Sequence, residues 1–391
     1  MEVTDVQYKE SEIGVIPVDW EVKTLGDVGE VKMCRRVFNQ ETKSEGVIPF
    51  YKIGTFGKEA DAYISQELYD NYRQRFSFPK TGDVLISAAG TIGRTMVYDG
   101  EPAYYQDSNI VWIDNKEGLV LNKYLYYVLQ VAKYNTEGGT IQRLYNSILK
   151  NTKFICPTKS EQTAIATALS DTDALIENLE KLIAKKRSIK QGMMQELLTG
   201  SIRLDGFEKK WLNVSLGEIS EITMGQSPQS KYYNTKGLGL PLVQGNADIE
   251  DRKTIIRIHT TEITKIGEPG TTIMSVRAPV GEVAKTNFRC CLGRGVCAIK
   301  YKNDFLYHLL IYLEDSWGKY STGSTFDSIN SSQVKNLEIY IPSDFSEQVA
   351  IASIFNDIDE EIETLEQKLY KYKMIKEGMM QSLLTGKIRL V

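Results

Sequence analysis

Two long segments of the chain carry an apolar stripe with the period of an α-helix. From residue 351 to 383, positions spaced alternately by four and three read Ile, Phe, Ile, Ile, Leu, Leu, Tyr, Lys, Met and Leu. The same register from residue 165 to 197 contains Thr172, Lys186 and Lys190 among its apolar positions, so its stripe is weaker. The pattern predicts two helices of about 32 residues, each roughly 48 Å long at 1.5 Å per residue.

Local signals predict where these helices begin and end. Each segment follows a proline, Pro157 or Pro342, and then a serine, Ser160 or Ser346, that can cap the first turn. Glycines at 192 and 378 are expected near the helix ends.

The remaining sequence favours short strands in irregular mixed domains. Residues 20 to 155 contain the runs VLIS, IVWI and KFIC, and residues 211 to 341 contain TIMSV and LEIYI. Such runs, rich in β-branched and aromatic residues and bounded by glycine, are typical of strands. The predicted fold class is α+β, with two mixed α/β domains and two long helices.

The chain is an internal duplication. Residues 161–204 and 347–390 align without gaps at a spacing of 186 residues, with 25 of 44 positions identical. Weaker matches upstream pair Trp20 with Trp211. We therefore predict a first mixed domain at 1–155, a first helical segment at 156–204, a second mixed domain at 205–341 and a second helical segment at 342–391.

Two such helices bury their stripes most simply against each other, as an antiparallel pair within one chain. The alternative is a coiled coil between two chains. Duplication inside one polypeptide favours the intramolecular pair, because that pair needs no second chain.

Charge limits the functions that the chain can have. The net charge is −4, and no segment is strongly basic: residues 1–155 carry 18 Lys and Arg against 21 Asp and Glu. A nucleic-acid-binding role would therefore need cations gathered on one face, or phosphate contacts from a partner. No apolar run approaches the roughly 18 residues of a membrane span, so we expect a cytoplasmic protein that does not bind membranes.

Signatures of catalysis are missing from the sequence. No two prolines are adjacent, which rules out the Asn-Pro-Pro-aromatic signature of amino-methyltransferases, and neither G-x-G-x-x-G after a strand nor G-x-x-x-x-G-K-[ST] occurs. The five cysteines form no C-x-x-C pair, and His259 and His308 are the only histidines, so we expect neither a metal nor a catalytic triad. The acidic pairs Asp171/Asp173 and Asp357/Asp359 are interpreted as solvated helix faces.

In its duplicated order of domains and helices, and in several sequence motifs, the chain resembles the specificity subunits of type I restriction-modification systems over nearly its whole length. The resemblance is carried by the paired endings GMMQELLTGSIRL and GMMQSLLTGKIRL, by IPVDWEVKTLGDV and WLNVSLGEIS, and by MGQSPQSKYYNTKGLGLPLVQGNADI at 224–249. The first domain opens differently, with EVKMCRRVFNQETKSEGVIPFYKIGTFGK.

The resemblance implies a non-catalytic subunit that binds double-stranded DNA, two methyltransferase subunits and two restriction/translocase subunits. The two mixed domains would be recognition domains, each reading one half of a bipartite asymmetric target, and the two helical segments would be spacers that fix the gap between the halves. The chain itself would bind no cofactor; S-adenosylmethionine, ATP and Mg would belong to the partner subunits.

Candidate DNA-contacting residues are polar or cationic side chains near glycine-rich turns, which could meet phosphates or base edges. In the first domain they are Lys32, Arg35, Arg36, Lys52, Arg73, Gln74, Arg75, Arg94, Thr140, Gln142 and Arg143. In the second they are Gln226, Ser227, Lys231, Tyr232, Tyr233, Gln244, Asn246, Arg277, Arg294, Ser324 and Thr325.

Among these, Arg277 is singled out because it aligns with Ala89 of the first domain, which makes it a candidate base reader specific to one domain. Two other classes of function stay open on the sequence alone. One is a coiled-coil interaction scaffold without DNA specificity, and the other is an enzyme with an unrecognised site.

Overall fold

The structure is a computed structural model that describes residues 7–134, 143–319 and 328–390. Contacts divide the chain into two units, residues 1–178 with 368–391 and residues 179–367. The boundaries fall inside the two long helices, so each unit contains one recognition domain and a part of each helix. From residue 8 to 197 the elements are β1 (Tyr8–Ser11), β2 (Gly14–Pro17), β3 (Glu21–Thr24), α1 (Leu25–Val28), β4 (Gly29–Met33), β5 (Ile48–Tyr51), β6 (Tyr63–Ile64), α2 (Gln66–Arg75), β7 (Val84–Ser87), β8 (Thr95–Val97), β9 (Tyr104–Tyr105), β10 (Ile110–Asn115), α3 (Asn122–Val131), α4 (Asn146–Asn151), β11 (Lys153–Cys156) and α5 (Lys159–Leu197).

The second half of the chain repeats this order with more short strands. The predicted runs VLIS, IVWI and KFIC lie in β7, β10 and β11, and TIMSV and LEIYI lie in the strands Thr272–Ser275 and Glu338–Pro342, so the strand predictions are confirmed. From residue 211 to 383 the elements are β12 (Trp211–Ser215), α6 (Leu216–Ile219), β13 (Glu221–Met224), β14 (Tyr233–Asn234), β15 (Leu240–Val243), β16 (Ile249–Glu250), β17 (Lys253–Thr254), β18 (His259–Thr260), β19 (Ile266–Gly267), β20 (Thr272–Ser275), β21 (Val283–Lys285), β22 (Cys290–Leu292), β23 (Val296–Lys300), α7 (Phe305–Tyr312), α8 (Ser331–Lys335), β24 (Glu338–Pro342) and α9 (Phe345–Leu383).

The sheets of the two units have the same framework. An antiparallel sheet in the order β4-β10-β7-β8 in the first unit corresponds to β13-β23-β20-β21 in the second, which adds β17 and β16 at its edge. A two-stranded ladder, β3 with β11 or β12 with β24, brings the entry strand beside the strand that leads into the long helix. The duplication seen in the sequence is therefore a duplication of structure.

In each unit, the apolar stripes pack the two helices against each other in antiparallel directions. In the second unit Lys190 Nζ lies 2.5 Å from Asp359 Oδ1, and Lys186 Nζ lies 2.7 Å from Glu361 Oε2. In the first unit Lys376 Nζ lies 2.6 Å from Asp173 Oδ1. Residue numbers rise along one helix as they fall along the other, which confirms the predicted intramolecular pair.

The interpretation of the acidic pairs as solvated faces is wrong for one member of each. Asp173 pairs with Lys376 and accepts a hydrogen bond from Tyr127 Oη at 2.8 Å, while Asp359 pairs with Lys190. Because the stripe contains lysines at 186, 190 and 376, carboxylates on the facing helix neutralise them where the helices meet.

The helices begin directly after Pro157 and Pro342 as predicted, but the predicted length and capping residues are wrong, because each helix has 39 residues rather than about 32. Thr158 Oγ1 accepts a hydrogen bond from the Glu161 amide at 3.3 Å, and Asp344 Oδ1 accepts one from the Ser346 amide at 2.9 Å. Thr158 and Asp344 therefore cap the first turns, rather than Ser160 and Ser346. The helices run through Gly192 and Gly378, and the left-handed glycines that follow them are Gly200, with φ of 73°, and Gly386, with φ of 72°.

A buried Trp-Glu-Arg cluster ties each recognition domain to the start of a long helix. In the second unit Arg203 donates to both Glu347 oxygens, at 2.9 and 2.7 Å, and Trp211 Nε1 donates to the same carboxylate at 3.3 Å. In the first unit Trp20 and Arg389 donate to Glu161 at 2.9 and 2.6 Å. The two tryptophans paired in the sequence alignment thus make the same contact.

His308 on α7 is fully buried beside α9. Its Nε2 lies 2.8 Å from Asn356 Oδ1, and its Nδ1 lies 4.0 Å from Asp359 Oδ2. Burial is the main reason that the pKa of this histidine is lowered to about 4, and the nearby Lys190 ammonium lowers it further. The imidazole is therefore neutral in the folded protein at neutral pH.

We expect His308 to make the second unit less stable as the pH falls. In the unfolded chain a histidine titrates near pH 6.5, so between about pH 6.5 and 4 the unfolded state binds a proton that the folded state excludes. The stabilisation is complete above pH 6.5 and is lost towards pH 4, by about 3 kcal/mol. Urea denaturation at several pH values measures it. His308→Gln, which can keep the bond to Asn356, should show a flatter pH dependence; parallel curves for both proteins would contradict the assignment.

Within the described ranges, no helix combines the length and apolar character that crossing a bilayer requires.

Candidate nucleic-acid interface

Three loops of the second recognition domain are held together by backbone hydrogen bonds. The Gln226 amide donates to the Leu292 carbonyl at 2.9 Å, and the Gly293 amide donates to the Val243 carbonyl at 2.7 Å. A Cβ on Gly225 would collide with the Gly293 carbonyl. Glycine at these turns therefore allows the loops to approach closely, and it brings together the predicted residues Gln226, Ser227, Gln244, Asn246 and Arg294.

Polar contacts also order this loop cluster. Ser227 Oγ accepts from the Arg294 amide at 3.1 Å, and the Asp248 carboxylate accepts from the Gln244 amide at 2.7 Å. The Arg294 side chain is exposed, and none of the described carboxylates pairs with it. Its guanidinium is thus available to an external acceptor such as a phosphate or a base edge.

A fourth loop, which carries Arg277, joins the same cluster. The Val276 amide donates to the Gly295 carbonyl at 2.9 Å, and Arg277 forms an isolated antiparallel bridge with Ser328. Arg277 is exposed, again without a carboxylate partner in the described part of the chain. Arg277 and Arg294, both among the predicted residues, therefore belong to one group of loops.

The remaining predicted residues of this domain lie beside Pro228 or outside the described residues. Tyr233 Oη donates to the Pro228 carbonyl at 3.0 Å. This bond gives the Tyr233 hydroxyl a structural role, because it holds the ring against the loop backbone. Lys231 and Tyr232 are exposed, with the ammonium 4.9 Å from the ring centroid. Ser324 and Thr325 lie outside the described residues.

The first domain builds an equivalent loop cluster from different side chains. The Gln106 amide donates to the Tyr51 carbonyl at 2.9 Å, and the Ala88 amide donates to the Asn109 carbonyl at 2.7 Å. Arg143 is exposed and bridges Ala89, as Ser328 bridges Arg277 in the second domain. Thr140 and Gln142 lie outside the described residues.

Three other predicted arginines of the first domain lie over the rings of Phe76 and Phe78. The guanidinium carbons of Arg35 and Arg75 lie 5.2 and 5.7 Å from the centroid of Phe76, and that of Arg73 lies 5.4 Å from Phe78. Arg73 and Arg75 occupy the last turn of α2, and Arg35 follows β4. Stacking orients guanidinium groups without neutralising them, and none of the three pairs with a described carboxylate. Gln74 is exposed between them.

Four other predicted cations of the first domain have partners. Lys32 lies 3.1 Å from Glu30, Lys52 lies 2.8 Å from Asp61, and Arg36 lies 3.9 Å from Asp107. Exposed pairs of this kind contribute little to stability, so a phosphate could replace the carboxylate. Arg94, by contrast, donates to the Phe56 carbonyl at 2.8 Å and holds a loop in place.

Sequence reasoning missed Gln106, whose Oε1 accepts from the Ile53 amide at 3.0 Å and joins two loops. It also missed the turn that follows, where Ser108 has φ of 60°. The string Gln-Asp-Ser-Asn at 106–109 is a recognisable turn signal that could have marked this segment.

The described part of the candidate surface displays cationic and polar side chains that could bind an anionic partner. Among the described residues, no three His, Cys, Asp or Glu side chains are grouped so as to hold a metal ion. Cys34, which precedes Arg35, is buried, and burial raises the pKa of its thiol to about 12. A thiol of this kind is not a nucleophile at neutral pH.

Comparison with known proteins extends this picture. The family described as type I restriction modification DNA specificity domain matches residues 17–186 and again residues 208–371. A putative type I restriction enzyme specificity subunit of Methanocaldococcus jannaschii is 31% identical over 98% of this chain and 96% of its own. A putative specificity subunit of Haemophilus influenzae is 58% identical, over a match that spans 40% of each chain.

Two solved structures show the same fold. The S subunit of a type I restriction-modification system from M. genitalium matches with a TM-score of 0.65 and 18% identity over 98% of both chains. A chain from a study of complex assembly and conformational transition of the type I R-M system matches with a TM-score of 0.56 and 22% identity, covering 95% of this chain and 99% of that one. With two copies of the family domain in tandem, the chain belongs to the type I restriction-modification DNA specificity subunits.

Proposed function

We propose that this chain reads the DNA sequence for a type I restriction-modification complex and performs no catalysis itself. Each domain would read one half of a bipartite, asymmetric target. The observation that carries the proposal is that each domain displays exposed arginines that pair with none of the described carboxylates, beside a cluster of loops held together by backbone bonds. Because the side chains on the two clusters differ, the two half-sites would differ as well.

A net charge of −4 is compatible with DNA binding if the cations are gathered on one face of the protein. Counterion release from DNA depends on the cations that face it rather than on the whole-chain sum. Arg35, Arg73 and Arg75 are concentrated on one edge of the first domain, while many surface lysines elsewhere are already paired with carboxylates.

Removing the stacked arginines should weaken DNA binding and reduce its salt dependence. For R35A/R75A we expect affinity to fall at least tenfold, and the slope of log K against log salt to become shallower by about two. Fluorescence anisotropy of the complex with methyltransferase, titrated at several salt concentrations, measures both quantities.

The matched control is K116A/K153A, which removes two charges already paired with Asp114 and Glu12 at 2.8 and 2.5 Å. Its slope should stay close to that of the unchanged protein. A salt response that is flat in the unchanged protein would instead favour the coiled-coil interaction scaffold.

Two identical methyltransferase subunits are the proposed direct partners, with two restriction/translocase subunits in the full complex. Partners that bind twice need surfaces that occur twice. Ile189 and Ile375 occupy equivalent repeat positions and are 43% and 39% exposed, and Ile202 and Ile388 are 51% and 56% exposed. Exposed aliphatic side chains at matched positions support such docking. S-adenosylmethionine, ATP and Mg would be bound by these partners.

Methylation mapping tests the whole proposal. Cells that co-express the chain with its methyltransferase should carry adenine methylation at one split motif with a fixed gap. If both proteins fold and associate yet no motif is methylated, the proposed function is wrong.

A further inference from the structure

Each recognition domain has one exposed arginine at the same isolated β-bridge, but on opposite strands. In the first domain the bridge pairs Ala89 with Arg143, and in the second it pairs Arg277 with Ser328. The repeat alignment places Ala89 at the position of Arg277 and Arg143 at the position of Ser328. The same bridge is therefore present in both copies, but the arginine lies on one strand of it in the first domain and on the other strand in the second.

The surroundings of the bridge are shared as well. The Leu144 amide donates to the Ala88 carbonyl at 2.8 Å, and the Ile329 amide donates to the Val276 carbonyl at 3.0 Å. These are the same bond in the two copies. Both bridges adjoin the loop clusters described above, so the two arginines have equivalent places in their own domains.

Moving the arginine from one residue of the bridge to the residue opposite shifts its Cβ atom by only a short distance. Residues directly opposite each other in an antiparallel pair project to the same face, with Cβ atoms about 5 Å apart. An arginine side chain, with three methylenes and a guanidinium, spans a comparable length. Either position can thus deliver a guanidinium to the same external point, although from different directions.

We propose that Arg143 and Arg277 bind a DNA phosphate at equivalent points of the two half-sites and do not read a base. The proposal rests on the function proposed above and refines it. Reading a guanine edge requires a bidentate geometry that a change of strand would destroy, whereas a phosphate accepts a cation from many directions. Domains that read different half-sites would still need the same backbone contact, which explains why the charge is present in both.

Transplanting the arginine across the bridge tests the proposal. The variants are R277A, which removes the charge, and R277A/S328R, which reproduces in the second domain the Ala and Arg arrangement of the first. Ser328 is exposed, so the longer side chain has room. Binding to the mapped target and to duplexes with single changes in the second half-site would be measured over a range of salt.

For R277A we expect about tenfold weaker binding to every duplex alike, with a salt slope shallower by about one. R277A/S328R should recover most of both losses. The set of methylated sites should be the same for all variants. Should R277A fold poorly, R277Q keeps most of the side chain and carries the same expectation.

Two results would overturn the inference. One is relaxed discrimination at a single base pair in R277A, because this marks a base reader. The other is a double variant that binds no better than R277A. Failure of the proposed function is distinct from both, since the unchanged complex would then show neither a target nor a salt slope.

Discussion

When one heptad is duplicated in each long helix, methylation mapping of cells that co-express this variant with the methyltransferase should show a motif with the same two halves and a longer gap. Duplicating residues 179–185 and residues 361–367 adds two helical turns to α5 and α9 and keeps the apolar stripes in phase. Seven residues add about 10 Å, which corresponds to a gap longer by up to about three base pairs. The helices are proposed to set the gap, so the original motif should lose its methylation.

The control is the duplication in α5 alone. Unequal helices can no longer align the lysines of one stripe with the carboxylates of the other, as Lys190 does with Asp359. With this variant, the methyltransferase should methylate no motif of either gap length. Methylation of the original motif by the variant with both duplications would show that the helices do not determine the gap.

The sequence predicts those parts of the fold that depend on interactions between residues close together in the chain. The apolar stripes predicted the two helices and their pairing, because helical periodicity depends on residues only three or four positions apart. The capping residues were assigned wrongly because Thr158 and Asp344 compete with Ser160 and Ser346 as caps within the same few residues. Both alternatives satisfy the local pattern, and only the path of the chain decides between them.

The candidate site shows the opposite case. Arg35 and Arg75 were selected as cations near turns, but their shared stacking on Phe76 joins segments 40 residues apart. Lys32 and Lys52 looked equally suitable and were found paired with Glu30 and Asp61. Whether a surface cation has a carboxylate partner is decided by tertiary structure, so residue type and spacing could not separate these two groups.

The role suggested for Arg277 changed for a related reason. In a linear alignment it stands opposite Ala89 and looks specific to one domain. The bridge pairing brings in Arg143, which the alignment places opposite Ser328. An alignment of the two repeats compares one position at a time, so it does not show that an arginine lies on one strand in the first copy and on the opposite strand in the second. The equivalence is found only when both strands of the bridge are compared together.

We expect Glu347→Ala to be strongly destabilising, with a loss of about 2 to 4 kcal/mol in the free energy of unfolding of the second unit. Glu347 is fully buried and accepts from both Arg203 and Trp211. Its removal leaves the indole N–H without an acceptor and the guanidinium without a counterion. Arg203 is partly exposed and can be hydrated, which keeps the cost below that of a fully buried pair.

Glu363→Ala on the same helix is the matched control, because Glu363 forms an exposed pair with Lys253 at 2.6 Å and should cost less than about 1 kcal/mol. Urea denaturation followed by tryptophan fluorescence compares the two variants. Because Trp211 contacts Glu347 itself, its emission should report the change directly. Equal losses in both variants would show that the buried cluster does not secure the domain to the helix. A larger loss in Glu347→Ala, matched by Glu161→Ala in the first unit, would show that both copies use one anchor, since Trp20 and Arg389 bind Glu161 as Trp211 and Arg203 bind Glu347.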